Sequence, residues 1–281
     1  MRHTAVTLPL VLVATLAGAQ LPQSSLAIEN NGHWRAWWTS SGAPSIWSTP
    51  SPIVLAAVHW TSIGHGVDRA EIRLGGTGEA WRIRVVLVRF DPRSVRAELV
   101  EQTRGAGTLG GWAVDSARAP AIAAVNAGQF SGGTPWGWLV RNGKEERAPG
   151  FGPLSMAVIE EEGGELRLLS DDSIPMARAN HKIALAFQSY PTLLEPGGVV
   201  PHALQTESSG VDLAHRDSRL AIGELRDGRI ILALTRFEAL GGALSQLPFG
   251  PTIPEMSALM GALGCTKAVA LDGGISGQMM I

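Results

Sequence analysis

Most of the chain alternates short apolar runs with turn-forming residues, a pattern that predicts strands joined by tight turns. The segment Trp81–Phe90 reads WRIRVVLVRF and is rich in the β-branched and aromatic residues that strands favour. Asp91–Ser94 is typical of a turn, and residues 94–101 are predicted to form the returning strand. Asn142-Gly143 and Asp227-Gly228 each separate two strand-like runs, so each predicts a hairpin.

One amphipathic helix is predicted near the C-terminus, over about Thr252–Leu263. Thr252 and Glu255 have the spacing of a capping box, and Gly264 stands where a helix commonly ends. Apolar residues recur at the i, i+3, i+4 and i+7 positions of one helix face. Together with the strands, this helix predicts an α+β fold of mixed, largely antiparallel twisted sheets with a few helices. The predicted core comprises Ile122, Val125, Ile222, Ile230, Leu232, Leu259, Leu263, Val269 and Leu271.

Two short apolar segments end in the same way, in a polar residue followed closely by glycine. Ala121–Val125 precedes Asn126-Ala127-Gly128, and Ala268–Leu271 precedes Asp272-Gly273-Gly274. A buried strand fixes the polar residue at its tip, while glycines let a ligand approach the backbone, and successive amides can form an anion-binding nest. The pattern predicts rigid polar groups in a cleft, with two ordinary turns as the alternative interpretation.

A third polar segment, His215–Arg219, leads directly into the strand-like residues Leu220–Gly223. An arginine at the start of a strand can bind a phosphate group through two parallel hydrogen bonds, which makes Arg219 a candidate phosphate ligand. A solvated surface arginine is the alternative interpretation.

The N-terminus predicts an exported protein. Residues 1–19 have the basic start, the short apolar run and the small-residue ending of a cleavable signal peptide, with an uncleaved membrane anchor as the alternative. Residues 20–55 are predicted to be an extended Trp-, Ser- and Pro-rich segment that packs its tryptophans on one main domain at 56–281. A separate carbohydrate-binding patch is the alternative for this segment. After signal cleavage no membrane span is expected.

Charge and cysteine content narrow the partners and the compartment. The net charge of −2, without a long run of like charges, argues against a nucleic-acid or anionic-membrane partner. The single cysteine, Cys265, excludes an internal disulfide and favours a periplasmic or secreted bacterial protein. The scattered histidines argue against zinc. No cofactor is expected, with a hard divalent cation between Asp272 and Asn126 as the alternative.

The polar segments together resemble motifs of the phosphodiester glycosidase family, over roughly residues 65–281. The matching stretches, in the family's order and spacing, are NAGQF from Asn126, QSYPTL from Gln188, SRLAIG from Ser218 and LDGGISGQM from Leu271. Family members usually continue for another strand, whereas this chain ends at Ile281. The resemblance therefore predicts a domain shortened at its C-terminus.

The motifs depart from the family pattern at several positions. Gln129 replaces an aromatic residue, and Ser218 and Leu220 replace proline and threonine beside the arginine. Ile275 replaces a third glycine, and Gly277 replaces a serine or threonine. Losing hydroxyl groups removes candidate phosphate donors, and Ile275 narrows the predicted nest, which predicts a different substrate or a weakened activity.

The resemblance implies an exported hydrolase that cleaves a sugar-1-phosphodiester, such as an N-acetylglucosamine-1-phosphodiester, in envelope or exopolysaccharide glycans. Asp272 would act as a base, as a nucleophile or by stabilising positive charge at the anomeric carbon. Arg219 and the Gly273 and Gly274 amides would match the phosphate charge, and Asn126 would hydrogen-bond the sugar or the phosphate. The remaining predicted substrate-binding residues are Gly128, Ser276, Asp217 and Trp136, the last by stacking on a sugar, with core packing as its alternative.

Two other functions stay open at this point. A protein of the same fold would bind a sugar phosphate without turnover, and the changes around Arg219 and Asp272 favour this alternative. The third is a purely structural envelope protein, against which the polar residues at both strand tips argue.

Overall fold

The structure is a computed structural model that describes residues 23–100, 121–131, 134–152, 154–180, 182–206, 211–238 and 249–281. Within these residues the strands form a nine-stranded sheet, a five-stranded sheet and two two-stranded sheets. Their pairings are antiparallel throughout, and the helices are few and short, as the sequence predicts.

The strands are β1 (Ser25–Asn30), β2 (His33–Thr39), β3 (Thr61–Gly64), β4 (Val67–Gly76), β5 (Ile83–Phe90), β6 (Ala124–Val125), β7 (Phe130–Ser131), β8 (Thr134–Pro135), β9 (Leu139–Arg141), β10 (Lys144–Arg147), β11 (Met156–Glu161), β12 (Leu166–Ser170), β13 (Ile183–Ser189), β14 (Thr192–Leu194), β15 (Leu220–Leu225), β16 (Ile230–Phe237), β17 (Cys265–Ala270) and β18 (Met279–Met280). The helices are α1 (Pro52–Leu55), α2 (Ile174–Asn180) and α3 (Ile253–Ala262). The large sheet has the order β14-β17-β15-β16-β5-β4-β1-β2, with β3 paired to β4, and the smaller sheet has the order β10-β9-β13-β11-β12.

Two large apolar clusters lie on opposite faces of the nine-stranded sheet. One is shared with the five-stranded sheet and the other with α3. Because β15 and β17 are covered on both faces, their sequences read as nearly continuous apolar runs. The predicted core positions that are buried are Ile222, Ile230, Leu232, Leu259, Leu263, Val269 and Leu271.

The prediction of a buried strand over Ala121–Val125 is wrong for most of its length. Only Ala124–Val125 forms a strand, β6, and among the described residues its one partner is β18. A strand of two residues with one partner covers little surface, and Ile122 is therefore 37% exposed instead of lying in the core. Val125 is half-buried against the cluster between the two sheets.

The predicted returning strand after Phe90 is also wrong. Residues 95–100, all of which the structure describes, form no strand, and residue 101 lies outside the described ranges. β5 pairs with β4 on one side and with β16 on the other. Both of its edges are thus hydrogen-bonded, which leaves no edge for a further strand.

Both predicted hairpins are confirmed, as β9–β10 and β15–β16. Asn142 and Gly143 have positive φ angles of 51° and 74°, and Gly228 has a φ of 85°. These are the conformations that tight hairpin turns require and that asparagine and glycine adopt at little cost.

The predicted helix is confirmed as α3, with a complete capping box between Thr252 and Glu255. The expected single apolar face is wrong, because almost every residue of α3 is buried. The Ser257 hydroxyl donates to a carbonyl of β14 at 2.7 Å. Gly261 lies so close to Trp47 that a Cβ there would be 2.2 Å from the indole. The helix is therefore enclosed between the sheet and the N-terminal segment.

The tryptophan-rich segment forms β1 and β2, which extend the nine-stranded sheet beyond β4. Trp38 is buried, and the rings of Trp37 and Trp47 meet with centroids 6.4 Å apart, whereas Trp34 is 50% exposed. The predicted signal peptide, residues 1–19, lies outside the described residues. In the part of the chain that the structure describes, no helix has the length and apolarity needed to cross a membrane.

Candidate functional site

β15 and β17 bring two of the three polar segments together at one end of the large sheet. Their antiparallel register sets Ala221 opposite Ala270, so the residues before β15 lie beside those after β17. The Gly274 amide then donates to the Ser218 carbonyl at 2.7 Å. The Asp272–Gly274 loop is thus fixed against the segment that enters β15.

The third segment, around Asn126, reaches the same place through the pairing of β6 with β18. The Asp272 amide donates to the Ala127 carbonyl at 3.0 Å. The Asn126 side chain accepts a hydrogen bond at Oδ1 from the Gln278 amide at 2.6 Å. Three segments that are far apart in sequence therefore meet at one site, in the combination that the sequence predicts.

Glycine is required in the Asp272 loop for close packing. A Cβ on Gly273 would lie 2.8 Å from the Ser218 carbonyl oxygen. Gly274 has a φ of 61°, and a Cβ there would lie 2.8 Å from Asp217 Oδ2, so the Asp217 carboxylate reaches the loop. The Gly274 amide is engaged with Ser218, and the Ser276 amide donates to Gly273 at 3.2 Å. The predicted anion nest therefore lacks the Gly274 amide.

The Asp272 carboxyl is half-buried in its loop, and this burial changes its pKa. Burial raises the pKa of its carboxyl from 3.8 to about 6, because a carboxylate loses hydration in the half-buried loop. A carboxylate with a pKa near 6 is ionised at neutral pH and is still basic enough to accept a proton.

Asp217 is held close to the loop by its own surroundings. Its Oδ1 accepts a hydrogen bond from the Ser218 amide at 2.7 Å, and its Oδ2 lies 3.6 Å from His215 Nε2. The Asp217 side chain is 19% exposed, while that of His215 is 57% exposed. The site thus contains two carboxylates, one in the loop and one against it.

Arg219 does not present the geometry that was predicted for a phosphate clamp. Its Nε donates to the Pro251 carbonyl at 3.1 Å, and one Nη donates to the His215 carbonyl at 2.6 Å. These are the two donors that would otherwise bind a phosphate side-on. Burial lowers the pKa of Arg219, although the charges of Asp217 and Asp212 oppose that shift. Arg219 ties the segment before β15 to the start of α3.

A model of the phosphodiester glycosidase family matches residues 119–281, which is more than half of the chain and includes all three segments of the site. The chain belongs to the phosphodiester glycosidase family.

Two solved structures have a similar fold. A hypothetical protein from Synechocystis matches with a TM-score of 0.53 and 16% identity, over 92% of this chain and 64% of that protein, so this chain spans less than two thirds of it. The catalytic domain of zebrafish N-acetylglucosamine-1-phosphodiester alpha-N-acetylglucosaminidase, auto-inhibited by its pro-peptide, matches with a TM-score of 0.54 and 16% identity, over 82% of this chain and 81% of that one. At such identities the likeness concerns the fold alone. No curated protein matches the sequence at a significant level.

The glutamine that departs from the family's aromatic residue has a clear structural use. Gln129 Oε1 accepts hydrogen bonds from the Ser189 hydroxyl at 2.8 Å and from the Tyr190 amide at 3.1 Å, while its Nε2 donates to the Tyr190 carbonyl. Gly128 precedes it and packs so closely that a Cβ would lie 2.3 Å from the Gln188 carbonyl oxygen. The Asn126 segment is thereby joined to the end of β13.

Sequence reasoning named Gln188 only as the start of a family-like motif and gave it no role, yet its side chain is fully buried. Its Oε1 accepts hydrogen bonds from the amides of Trp138 at 3.0 Å and Gly150 at 2.8 Å, and its Nε2 donates to the Ser155 hydroxyl at 2.9 Å. A single glutamine within an otherwise apolar strand was the available signal, since a buried amide needs several partners.

Sequence reasoning also missed Arg236, near the end of β16, whose guanidinium donates to the Ser218 hydroxyl. A lone charged residue at the end of the apolar run IILALTRF was the signal in this case.

Two tryptophans near the site differ in their surroundings. Trp136 is half-buried and packs edge-on against Tyr190 with ring centroids 4.9 Å apart, and Tyr190 is 43% exposed. Trp138 is 1% exposed and its indole N–H donates to Glu145 at 3.0 Å. Of the two, Trp136 has a surface that a sugar can reach.

A metal ion finds little support in the geometry. Among the described residues no group of three or more His, Cys, Asp or Glu side chains is placed to hold a cation. Asn126 Oδ1, the oxygen considered for a cation beside Asp272, accepts a hydrogen bond from the Gln278 amide instead.

Cys265 is buried, and burial raises the pKa of its thiol far above the usual range, consistent with the predicted core position.

Proposed function

We propose that this family member is a hydrolase that cleaves a sugar-1-phosphodiester between the anomeric carbon and the phosphate oxygen. Membership of the phosphodiester glycosidase family supports glycosidase chemistry. The zebrafish protein of similar fold has N-acetylglucosamine-1-phosphodiester in its name, which supports a related substrate. The single observation that carries the proposal is the Asp272 carboxyl, held where three motif segments meet, with a pKa raised to about 6.

Asp272 acts as the general base in this proposal. Its carboxylate takes a proton from a water molecule as that water attacks the anomeric carbon. The bond between the anomeric carbon and the phosphate oxygen breaks, and the phosphate monoester leaves with the bonding electrons. A phosphate group is a good leaving group, so it needs little help from an acid. Asp217, beside Gly274 and His215, is the candidate acid that would donate a proton to the leaving phosphate oxygen.

The sugar is proposed to lie beside Trp136 and Tyr190. An aromatic pair with one accessible member offers an apolar face for the C–H groups of a pyranose ring. The segment that holds Asn126 and Gly128 is joined to Tyr190 through Gln129, which supports a place for both residues beside the bound sugar. Ser276 closes the short 3-10 turn Gly274–Ser276 that follows Asp272 and is the remaining candidate donor to the substrate.

We further propose that the protein is exported and acts in the periplasm or outside the cell, on envelope or exopolysaccharide glycans. The signal-peptide pattern in residues 1–19 supports export, and the net charge of −2, without a long run of like charges, argues against a nucleic-acid partner.

A second candidate function is binding of a sugar phosphate without turnover. The observation in its favour is that the Gly274 amide and the Nε edge of Arg219 are both bonded within the protein. Two of the phosphate donors predicted from the sequence, the Gly274 amide and the Nε edge of Arg219, are therefore already occupied.

Sugar release from an N-acetylglucosamine-1-phosphodiester tests the two functions. The purified protein is expected to release the free sugar and a phosphate monoester, and Asp272→Asn to lower kcat by about 100-fold or more. Asp227→Asn is the matched control, because Asp227 lies in an exposed turn and pairs with Arg229. It is expected to keep the parental rate within about twofold.

Each outcome separates the alternatives. Sugar release that survives Asp272→Asn would remove Asp272 from the reaction. A folded parent that binds the compound in a calorimetric titration and releases no sugar would favour the binding module.

A further inference from the structure

A half-buried arginine on β16 lies one residue away from the Asp272 loop and, among the residues that the structure describes, does not bond a carboxylate. Arg236 donates through Nη1 to the Ser218 hydroxyl. The carbonyl of the same Ser218 accepts the Gly274 amide at 2.7 Å. One residue therefore separates the Arg236 guanidinium from the loop that carries Asp272. The serine that replaces the family's proline supplies the hydroxyl that orients Arg236.

The register of the large sheet adds a second guanidinium. Arg236 lies opposite Arg84 on β5, and Arg84 lies opposite Arg73 on β4. Arg73 is paired with Glu238 at 3.0 Å and Glu29 at 3.5 Å. Within the residues that the structure describes, Arg84 and Arg236 form no ion pair. In this row of three arginines the charge of Arg73, farthest from the site, is thus neutralised. The charges of Arg84 and of Arg236, which lies nearest the site, are not.

Two like charges directly opposite each other on paired strands repel. Burial lowers the pKa of Arg236, the Arg84 charge lowers it further, and Asp217 opposes both effects. An anion bound between the two guanidinium groups would remove this repulsion. Because both side chains are half-buried, their attraction for an anion is less screened than at an exposed surface.

We propose that Arg236, supported by Arg84, binds the phosphate group of the sugar phosphodiester. The inference rests on the proposed function and assigns the phosphate to β16 instead of to Arg219, whose side-on donors are bonded to the carbonyls of Pro251 and His215. A guanidinium matches two phosphate oxygens, and a phosphodiester carries one negative charge at neutral pH. The anomeric carbon then lies toward Asp272, on the other side of Ser218.

Two measurements test the assignment, the kinetics of sugar release and the calorimetric Kd of inorganic phosphate. Arg236→Gln is expected to raise KM and the phosphate Kd by about 10- to 100-fold, since it removes a charge-assisted pair of hydrogen bonds. Arg236→Lys keeps the positive charge and loses the pair of parallel N–H donors, so KM and the phosphate Kd are expected to rise by about 5- to 10-fold. Arg84→Gln, which removes only the supporting charge, is expected to give about a 3- to 10-fold increase.

Arg73→Gln is the matched control, because Arg73 belongs to the same row of arginines and is neutralised by two glutamates. It is expected to change KM and the phosphate Kd by less than about twofold. If Arg236→Gln does not fold, Arg236→Lys and Arg84→Gln carry the test.

The outcomes distinguish this proposal from the proposed function. Sugar release by the parent with unchanged KM in the Arg236 and Arg84 variants would overturn the phosphate assignment and leave the hydrolase intact. Phosphate binding that depends on Arg236, without sugar release by the parent, would support the assignment and reject the hydrolase. A parent that binds no phosphate and releases no sugar would overturn both.

Discussion

The tips of β17 and β6 share one sequence pattern, an apolar run that ends in a polar residue and glycine, and the fold uses the two tips differently. β17 lies inside the nine-stranded sheet, between β14 and β15. β6 is two residues long, and within the described part of the chain it pairs only with β18. Asp272 thus follows a strand that is bonded along both edges, whereas Asn126 follows a strand bonded along one.

This difference in support matches a difference in chemistry. Asp272 is placed where burial raises the pKa of its carboxyl to about 6, so it can exchange a proton near neutral pH. Asn126 uses its side-chain oxygen to hold the Gln278 amide, and so fixes the chain that follows the Asp272 loop. We infer that Asp272, after β17, is the reacting group and that Asn126, after β6, holds the surrounding chain in position.

The largest expected effect concerns pH and stability at the β17 tip. The pKa of Asp272 is higher in the folded protein than its usual value of 3.8, so ionisation disfavours the folded state. The free energy of unfolding is therefore expected to fall as pH rises from below 4 to above 6, by at most about 3 kcal/mol and by less in proportion to the solvent screening of this half-buried carboxyl. Asp272→Asn removes this term. Urea unfolding of the parent and of Asp272→Asn at pH 4 and pH 7.5 measures this contribution. If the stability difference between the two proteins were the same at both pH values, the raised pKa would be contradicted.

The pH dependence of turnover is expected to have the opposite direction. Because the ionised Asp272 is the proposed base, kcat/KM is expected to fall with a midpoint near pH 6 and to approach a tenfold loss per pH unit below it, or about 50-fold between pH 6 and pH 4. In Asn126→Ala the midpoint of the pH dependence of kcat/KM is expected to be the same, since Asn126 bonds the Gln278 amide and not the Asp272 carboxyl. A midpoint that moved by more than about one unit in that variant would show that the two tips act as one unit.

The close packing behind the β6 tip predicts the next effect. Gly128→Ala would place a Cβ 2.3 Å from the Gln188 carbonyl oxygen, so it is expected to destabilise the fold by about 2–3 kcal/mol. Gly152→Ala is the control, because its Cβ would meet only Trp136, at 3.9 Å. Thermal unfolding of both variants checks this, and similar melting temperatures would mean that the Asn126 segment is not packed against β13.

The smallest expected effect is the loss of the Asn126 hydrogen bond. Asn126→Ala leaves the Gln278 amide without its acceptor and is expected to cost about 1 kcal/mol of stability. Asn126→Asp keeps an acceptor oxygen and is expected to retain the parental stability. Denaturant unfolding compares the two, and equal losses would assign the effect to something other than this bond.

The local elements could be predicted from the sequence because their partners are close in the chain. The Asn142-Gly143 turn depends on the φ preferences of two residues, and the start of α3 on a bond between Thr252 and Glu255. The errors arose where distant residues decide. The strand predicted after Phe90 has no free edge to join, and α3 is enclosed on all sides by elements that its periodicity does not reveal.

By itself, the sequence determined the antiparallel character of the sheets, the two hairpins, the capped helix and the grouping of three motif segments, because each follows from short-range backbone preferences or from a family pattern. The tertiary structure alone decided which groups remain available for chemistry. Two donors of Arg219 are bonded to the carbonyls of Pro251 and His215, Arg236 bonds no carboxylate among the described residues, and burial raises the pKa of Asp272. Burial and hydrogen-bond partners depend on which distant residues pack together, and a linear pattern of residues does not specify them.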